Sequence, residues 1–492
     1  MGSAPHAIPE LFYLPPGRAL GDDLAPPRTA YFITIPVLLG LVGLSSWLLG
    51  DDFGFVLSCL VGTVVGSYTL WGWLFRRQPS RFSTLMAMGL LLGYCGGALN
   101  TWITLPRGGM TLTEAMGYAP GVLARGIGAV LLSAAALYFI GEIFEKPIFG
   151  KDFHFTVDGR TRNLVCLGAL AMIGGYAMHF LAFQGPNSAG GHLNPAGAFL
   201  EWFYSPVTAI AVVAFLTAPH WKARIFCGGA ATILLLLFTV MGRRNSVYTA
   251  VEIVLVVGLS GYRWQGSAIR KILMIGGLAA IVVVCSLTYM LLRIAGWSAA
   301  HRQQVTVAKR IEVAGKLVQK GGAVALAGSS TQINLQTRTF VLGFMANVLD
   351  GSMQKTPARG ADAIQQIKVA IPRILYPDKV PFAEEEMVDE LFGFGYGDQA
   401  NSILTAGATD FSLIGVLVYP LLIVGIYRIV FDLASKFFGI VPMMFIALSM
   451  IYTIMQTEHS VTGYFELLLV APFFGLAIAL FMALPVMKLS PQ

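Results

Sequence analysis

Arg243 and Arg244 lie in a tight turn between two apolar runs, in the segment TVMGRRNSVYTAVEIVLV at residues 239–256. On a helix following this turn, Arg244, Tyr248 and Glu252 recur at i, i+4 and i+8 and share one face. Planar, permanently charged guanidinium groups suit a diphosphate or another anionic headgroup. The spacing therefore indicates an anion site, and a purely structural contact between Glu252 and an arginine is the open alternative.

Four residues nearer the end of the chain are candidate proton acceptors. In QTEHSVTGYFELL, the spacing of His459 and Glu466 predicts one shared helical face, and Tyr464 lies beside them. Asp398 and Asp410 bracket the return from a hydrophilic region into an apolar run. Imidazole and carboxylate groups are common general bases, so these four are candidate catalytic residues. Interfacial hydrogen bonding is the simpler interpretation of His459.

The hydrophilic region contains charges in unusual settings. Arg338 lies in a mostly apolar segment, where a charge needs a partner. Arg373, Asp378 and Lys379 belong to IPRILYPDK, which its prolines stiffen. Arg338, Arg373 and Lys379 are candidate substrate-binding residues, and solvated surface charges are the alternative. Residues 384–386 are three consecutive glutamates, and we interpret them as a face exposed to solvent.

Composition identifies the class of protein. Hydrophobic residues make up 56% of the 492 positions and charged residues only 12%, too few for a water-facing surface. The five cysteines lie in apolar runs without CxxC or Cys/His spacing, so we expect neither a metal nor a cofactor. The net charge of +7 is dispersed along the chain, which argues against nucleic-acid binding. The chain is an integral membrane protein in contact with the lipid bilayer.

Hydropathy predicts about twelve transmembrane helices, each requiring about 20 mainly apolar residues. They cover roughly 30–50, 54–75, 82–105, 120–143, 164–184, 201–218, 225–241, 246–262, 272–295, 409–430, 439–457 and 462–484. With the N-terminus inside, cytoplasmic segments carry 17 basic residues and short outer loops carry 4. This asymmetry predicts that both termini are cytoplasmic.

The predicted topology divides the chain into five parts. Residues 1–29 form a cytoplasmic segment, 30–295 nine helices, 296–408 an extracytoplasmic loop domain, 409–484 three helices and 485–492 a tail. A connection of this length is usually functional. Helical spacing predicts at least three helices within the loop domain, in QQVTVAKRIEVAGKLVQ, INLQTRTFVLGFMANVL and ADAIQQIKVAI.

Two motifs support a family resemblance. IPRILYPDK followed by GYGDQANSILTAGATDFSLIGVLVYP, together with the earlier GRRNS turn, resembles the Wzy-type O-antigen and exopolysaccharide repeat-unit polymerases. The resemblance covers mainly residues 235–470. It implies a GT-C-like, metal-independent glycosyltransferase that joins oligosaccharide units carried on undecaprenyl diphosphate. The reaction would take place at the periplasmic face of the bacterial inner membrane, with chain-length regulator and flippase proteins as possible partners.

The chemistry of such a reaction fits the candidate residues. A lipid diphosphate leaves as a stabilised anion, so cations at the leaving group and a base for the acceptor hydroxyl suffice. The arginines would supply the first function, and a carboxylate or imidazole the second. Three alternatives stay open: an O-antigen ligase, which differs in its acceptor; a lipid-linked oligosaccharide flippase or other transporter; and a structural scaffold.

Overall fold

A computed structural model describes the chain in ten stretches. They are 28–75, 81–105, 108–149, 157–177, 195–218, 220–241, 307–319, 341–371, 384–394 and 401–483, with single residues between 249 and 291 and between 375 and 382. All regular secondary structure within these stretches is helical. The predicted all-α class is thus confirmed for the described part of the chain.

The ten described stretches contain fifteen helices, numbered here in chain order. They are α1 (Arg28–Leu49), α2 (Asp52–Phe75), α3 (Phe82–Thr104), α4 (Leu112–Ala115), α5 (Val122–Phe144), α6 (Gly159–Ala177), α7 (Pro195–Thr217), α8 (Trp221–Met241), α9 (Val307–Gln319), α10 (Val341–Gln354), α11 (Ala361–Ala370), α12 (Glu384–Phe392), α13 (Ile403–Phe437), α14 (Ile440–Met455) and α15 (Val461–Ala483). Helix α3 contains one π-helical turn, Leu91–Gly96. Helices α9, α10 and α11 confirm the helices predicted from periodicity in the hydrophilic region, apart from residues 303–306 and 333–340, which lie outside the described residues.

Several of these helices can cross a membrane. Among the described residues, five are long and apolar enough, namely α2, α3, α5, α13 and α15. Shorter apolar stretches occur in α1, α7 and α14. The structure therefore supports a helical membrane protein. The count of twelve helices and their orientation stay predictions, and most of the predicted spans at 246–262 and 272–295 lie outside the described residues.

One end of the helix bundle collects basic side chains. Arg81 Nε donates to the carbonyl oxygen of Glu145 (2.9 Å), and the Glu145 carboxylate accepts from the first amides of α3. Arg428 donates to the carbonyl oxygen of Lys146 (2.7 Å). The start of α3, the end of α5 and the later part of α13 therefore lie together. The topology predicted from charge places all of these residues on the cytoplasmic side.

Helix α13 is divided into two arms that fold back on each other. Its backbone leaves the helical region at Phe411 (φ −142°, ψ 23°) and Ser412 (φ 53°, ψ −136°). A Cβ at Gly407 or Gly415 would overlap the carbonyl oxygen of the other glycine. In a continuous helix these residues would lie about 12 Å apart. We call residues 403–410 the short arm and residues 413–437 the long arm.

The predicted span at 409–430 differs from this arrangement. The long arm begins at 413 and continues to Phe437, and the preceding short arm was not foreseen. Every residue of the short arm is buried, and Ser402 caps its start by accepting a hydrogen bond from the Thr405 amide (3.1 Å). A short helix enclosed by protein in this way is tolerated at membrane depth.

Helix α10 attaches the hydrophilic region to the bundle. Arg125 Nη2, in the first turn of α5, lies 2.6 Å from Asp350 Oδ1. One residue further on, Gly126 packs against Ala346 so closely that a Cβ would meet the alanine side chain at 2.5 Å. Close approach through small residues is typical of helix packing in membranes. The ion pair and the glycine contact together fix α10 on α5.

Exchange of the two charges tests this attachment. Arg125→Asp and Asp350→Arg should each lower the melting temperature by about 2–4 °C, equivalent to about 1 kcal/mol, because each places like charges together. The double exchange should restore most of the loss. Thermal unfolding in detergent measures it, with Lys316→Glu in the exposed Glu312–Lys316 pair as a control expected to change little. Equal losses in the single and double variants would contradict the pairing.

Candidate functional site

Asp410 ends the short arm and is fully buried. Its Oδ1 accepts from the amides of Gly360 (2.9 Å) and Asp362 (3.0 Å). Its Oδ2 accepts from the amide of Ala363 (3.0 Å) and the hydroxyl of Tyr419 (2.6 Å). A carboxylate has about four lone-pair positions, and all are occupied here. This geometry gives Asp410 a docking role at the start of α11, and its catalytic role stays a prediction.

The docking is reciprocal. The carbonyl oxygens of Thr409 and Asp410 accept from the amides of Ala358 and Arg359, each at 2.9 Å. The turn that makes this possible has left-handed backbone at Arg359 (φ 55°) and Gly360 (φ 91°). Each helix end thereby forms hydrogen bonds with backbone groups of the other helix end that have no partner within their own helix. The short arm and α11 form one rigid corner.

Asp362 lies in the first turn of α11 and is also fully buried. Its Oδ2 accepts from the side-chain amide of Gln366 (2.8 Å). Gln366 contacts the start of α15 in turn, since its side-chain oxygen accepts from the Thr462 amide (3.3 Å) and its carbonyl oxygen from the Thr462 hydroxyl (3.2 Å). Within the described residues, Asp362 Oδ1 has no hydrogen-bond partner.

Glu384 opens α12 and is only 3% exposed. Neither of its carboxyl oxygens has a hydrogen-bond partner in the described part of the chain. The interpretation of the three glutamates as a solvated face is therefore wrong for Glu384, although Glu386 is exposed. Glu385 is partly buried and accepts from the Asn401 side chain (2.9 Å). The sequence pattern missed this burial because it depends on the helices that pack over α12.

The buried carboxyl groups influence one another, and we call Asp362, Glu384 and Asp410 the acidic cluster. Burial, followed by the charge of Asp410, raises the pKa of Asp362 to about 8, with the Gln366 side chain opposing the shift. Burial raises the pKa of Glu384 well above its usual range, the charges of Asp362, Glu385 and Asp410 add to the shift, and the Gln366 side chain opposes it. Two neighbouring buried carboxyls share protons rather than ionise together.

Hydroxyl groups adjoin the acidic cluster. Tyr94, in the π-helical turn of α3, forms a short hydrogen bond with the Ser402 hydroxyl. The Ser402 hydroxyl oxygen also lies 3.0 Å from that of Thr405. The charges of Glu384 and Glu458 interact electrostatically with the Tyr94 hydroxyl. Single π-helical turns are frequent at functional sites. The turn brings a phenol to the start of the short arm.

The acidic cluster, Tyr94 and Ser402 lie deep among the helices. Helix α14 ends at Met455, and the hydroxyl of Thr457 donates to the carbonyl oxygen of Gly89 (3.0 Å), which belongs to the first half of α3. Tyr94 precedes the end of α3 at Thr104 by ten residues, or about 15 Å. Ionisable groups at such depth usually line a protein-enclosed or wet site.

His459 and Tyr464 border the same region. The ring of His459 meets that of Tyr464 edge-on at 4.9 Å and packs on Gly463. Burial lowers the pKa of His459 to about 4, and a hydrogen bond with the Gly463 backbone opposes the shift. Helix α15 begins at Val461, so His459 precedes it. The predicted helical face shared by His459 and Glu466 is therefore wrong, because only Glu466 lies on the helix. Glu466 is partly buried within α15.

Glu252 has a separate environment. It is fully buried, and its Oε2 accepts from the hydroxyl of Ser205, which lies 3.0 Å from the Thr249 hydroxyl. Its second oxygen has no hydrogen-bond partner among the described residues. The structure thus connects Glu252 to α7, and its predicted relation to Arg244 and Tyr248 stays untested.

Seven of the predicted site residues lie outside the described residues: Arg243, Arg244, Tyr248, Arg338, Arg373, Lys379 and Asp398. Conversely, sequence reasoning missed Asp362 and Glu384. The i, i+4 pair Asp362–Gln366 in ADAIQQIKVAI was an available signal for the first.

Within the described part, no three His, Cys, Asp or Glu side chains lie together as metal ligands would. A comparison with protein-family models, curated proteins and solved structures finds no significant match.

The raised pKa of Asp362 predicts a pH-dependent stability. Because the native state binds this proton more tightly than the unfolded state, stability falls as pH rises from about 4, the unfolded value, to about 8 and then levels off. The melting temperature should fall by at least about 5 °C between pH 5 and 8.5. Asp362→Asn should flatten this decline, whereas Glu386→Gln, an exposed change, should not. Equal slopes in all three proteins would contradict the assignment.

Proposed function

We propose that this chain is a membrane glycosyltransferase that polymerises oligosaccharide repeat units carried on a lipid diphosphate, as the Wzy-type enzymes it resembles do. The observation that carries the proposal is the enclosed polar site formed by the acidic cluster with Tyr94 and Ser402. It lies about 24 Å along α13 from the basic end at Arg428, counting sixteen residues from Ser412. On the predicted topology this is the periplasmic side of the bacterial inner membrane.

The side chains present suit transfer to a sugar hydroxyl. Carboxyl, amide and hydroxyl groups bind sugar hydroxyls, and a carboxylate at this position can accept a proton. The departing lipid diphosphate requires cations, for which Arg243, Arg244 and Arg373 stay the proposed residues. A site among membrane helices also fits a substrate whose anchor stays in the bilayer.

Polymer formation by the purified protein tests the proposal. Full-length protein in liposomes, given a lipid-diphosphate-linked repeat unit, should produce a ladder of lengthening saccharides on a gel. Arg244→Ala should abolish the ladder without loss of folding, and Arg244→Lys should restore little because a point charge cannot replace bidentate contacts. No ladder from the wild-type protein would refute the proposal, and transfer only to lipid A–core would identify a ligase.

A proton-coupled flippase is the second candidate. Its support is the presence of buried carboxyl groups that can exchange protons, namely the Asp362–Glu384 pair and Glu252. Such carboxyls are typical of proton relays in transporters. A flippase would move the lipid-linked unit across the liposome membrane in response to a pH gradient and form no glycosidic bond. The same liposomes therefore distinguish the two functions.

A further inference from the structure

We infer that Asp362 and Glu384 form the proton-accepting pair of this site and take the proton from the hydroxyl of the incoming saccharide. The inference rests on the proposed function and names its base. Neither residue belongs to the four proton acceptors expected from the sequence. Among the buried carboxyl groups of the acidic cluster, these two have oxygens that accept no hydrogen bond within the described residues.

The buried carboxyl groups differ in how many of their hydrogen-bond acceptor positions are occupied. All four positions of Asp410 are occupied by donors held in the backbone or in Tyr419. Within the described residues, no hydrogen bond reaches either oxygen of Glu384 or Oδ1 of Asp362, although the Gln366 side chain lies near enough to oppose the rise in the pKa of Glu384. A buried carboxyl without a hydrogen-bond partner is costly and uncommon in a folded protein. A substrate hydroxyl would supply the missing partner.

The surroundings of Glu384 favour proton uptake. The charged groups that act on it are Asp362 from α11, Asp410 from α13 and Glu385 from its own helix, all acidic. Lys355 follows directly after α10, and its ammonium group donates to the carbonyl oxygen of Phe392, which lies eight residues or about 12 Å beyond Glu384 along α12. With these acidic neighbours, the pair binds a proton more strongly than an isolated carboxylate does.

His459 is a poorer candidate for this role. Its lowered pKa makes it a weak base at neutral pH, because general-base efficiency falls as the pKa of the base falls below the working pH. Its edge-on contact with Tyr464 and its packing on Gly463 indicate a positioning role. The carboxyl pair therefore remains the stronger proton acceptor among the described residues.

The neighbouring donors define the expected ligand. The Gln366 amide donates to Asp362, and the Tyr94 hydroxyl, which is bonded to that of Ser402, lies within electrostatic reach of Glu384. Several closely spaced hydroxyl and amide groups around a carboxylate match a saccharide with vicinal hydroxyls. We assign this region to the sugar of the incoming unit rather than to its diphosphate, because an anion would be repelled by the acidic cluster.

The proton and electron balance is simple. The pair, with one of its two carboxyl groups ionised, takes the proton of the acceptor hydroxyl as the hydroxyl oxygen bonds to the anomeric carbon of the growing chain. The bond between that carbon and the lipid diphosphate breaks, and its electron pair leaves with the diphosphate. The pair then returns the proton to water. No oxidant, reductant or metal enters the step.

Neutral substitutions test the inference in the full-length protein. Glu384→Gln should lower the rate of polymer formation at least 100-fold, the usual range for loss of a general base, while the KM for the lipid-linked unit changes less than about threefold. Glu386→Gln, two residues along the same helix and exposed, is the matched control and should retain the wild-type rate. Melting temperatures establish that each variant is folded.

The pH profile separates a proton acceptor from a structural residue. The wild-type rate should rise from pH 6 to about pH 8.5 as the pair loses its first proton. Asp362→Asn removes a neighbouring negative charge, so the remaining Glu384 should ionise more readily and the profile should move to lower pH. This shift is measurable even if Glu384→Gln does not fold.

The outcomes distinguish the two levels of the proposal. If the wild-type protein forms a ladder but Glu384→Gln forms it at the same rate, or the profile of Asp362→Asn is unchanged, the proton-accepting pair is refuted and the polymerase proposal stands. If the wild-type protein forms no ladder, the function itself is refuted and the pair loses its role. A lost rate together with a shifted profile supports both.

Discussion

Asp410→Ala is expected to prevent stable folding of the protein. The substitution would leave three buried backbone amides and the Tyr419 hydroxyl without their acceptor. Each unsatisfied buried group costs about 1–3 kcal/mol, so the sum of at least about 4 kcal/mol approaches the stability of a typical domain. We expect little monodisperse protein on gel filtration in detergent. Tyr419→Phe, which removes one donor, should be milder.

A carboxylate on the same helix provides the control. Asp432 pairs with Arg428 one turn away and is half exposed, so Asp432→Ala should cost less than about 1 kcal/mol. Normal folding of Asp410→Ala with complete loss of polymer would contradict the docking role. Such a result would support the catalytic role that the sequence predicts for Asp410.

Gly407→Ala is expected to separate the two arms of α13. A methyl group at this position would overlap the Gly415 carbonyl oxygen, and backbone atoms cannot move aside as a flexible side chain can. Overpacking of this kind costs about 1–3 kcal/mol or more, and here it also displaces Asp410 from the start of α11. We expect a melting temperature lower by at least about 5 °C and a loss of polymer formation.

Gly425 is the matched control for this substitution. It lies on the long arm, where an added Cβ would meet nothing within 4 Å. Gly425→Ala should be neutral or raise stability by up to about 1 kcal/mol, since alanine favours helix. Similar effects at positions 407 and 425 would show that the arms do not depend on their glycine contact.

The two substitutions test a single structural unit from opposite sides. Gly407 sets how closely the arms of α13 approach, and Asp410 connects the short arm to α11. Asp362 follows two residues after Gly360, whose amide binds Asp410. The docking corner thus determines where the carboxyl group of Asp362 lies, and an error there would displace the candidate site.

Much of the fold was accessible from the sequence because it depends on local pattern. Long apolar runs predicted the membrane helices α2, α3, α5 and α15, since any segment of this length and hydropathy must be shielded from water. Helical spacing likewise predicted α9, α10 and α11 in the hydrophilic region. In both cases the signal lies within one segment and needs no knowledge of its neighbours.

The candidate site was not accessible in the same way, because burial depends on what packs around a residue. Three consecutive glutamates look alike in the sequence, yet Glu384 is enclosed and Glu386 is exposed. Asp410 looks like a candidate base in the sequence, and only the structure shows its four donors, two of them amides in α11 and one the amide of the preceding Gly360. Desolvation and hydrogen-bond occupancy arise between elements distant in the chain, so only the tertiary structure assigned these carboxyls their different environments.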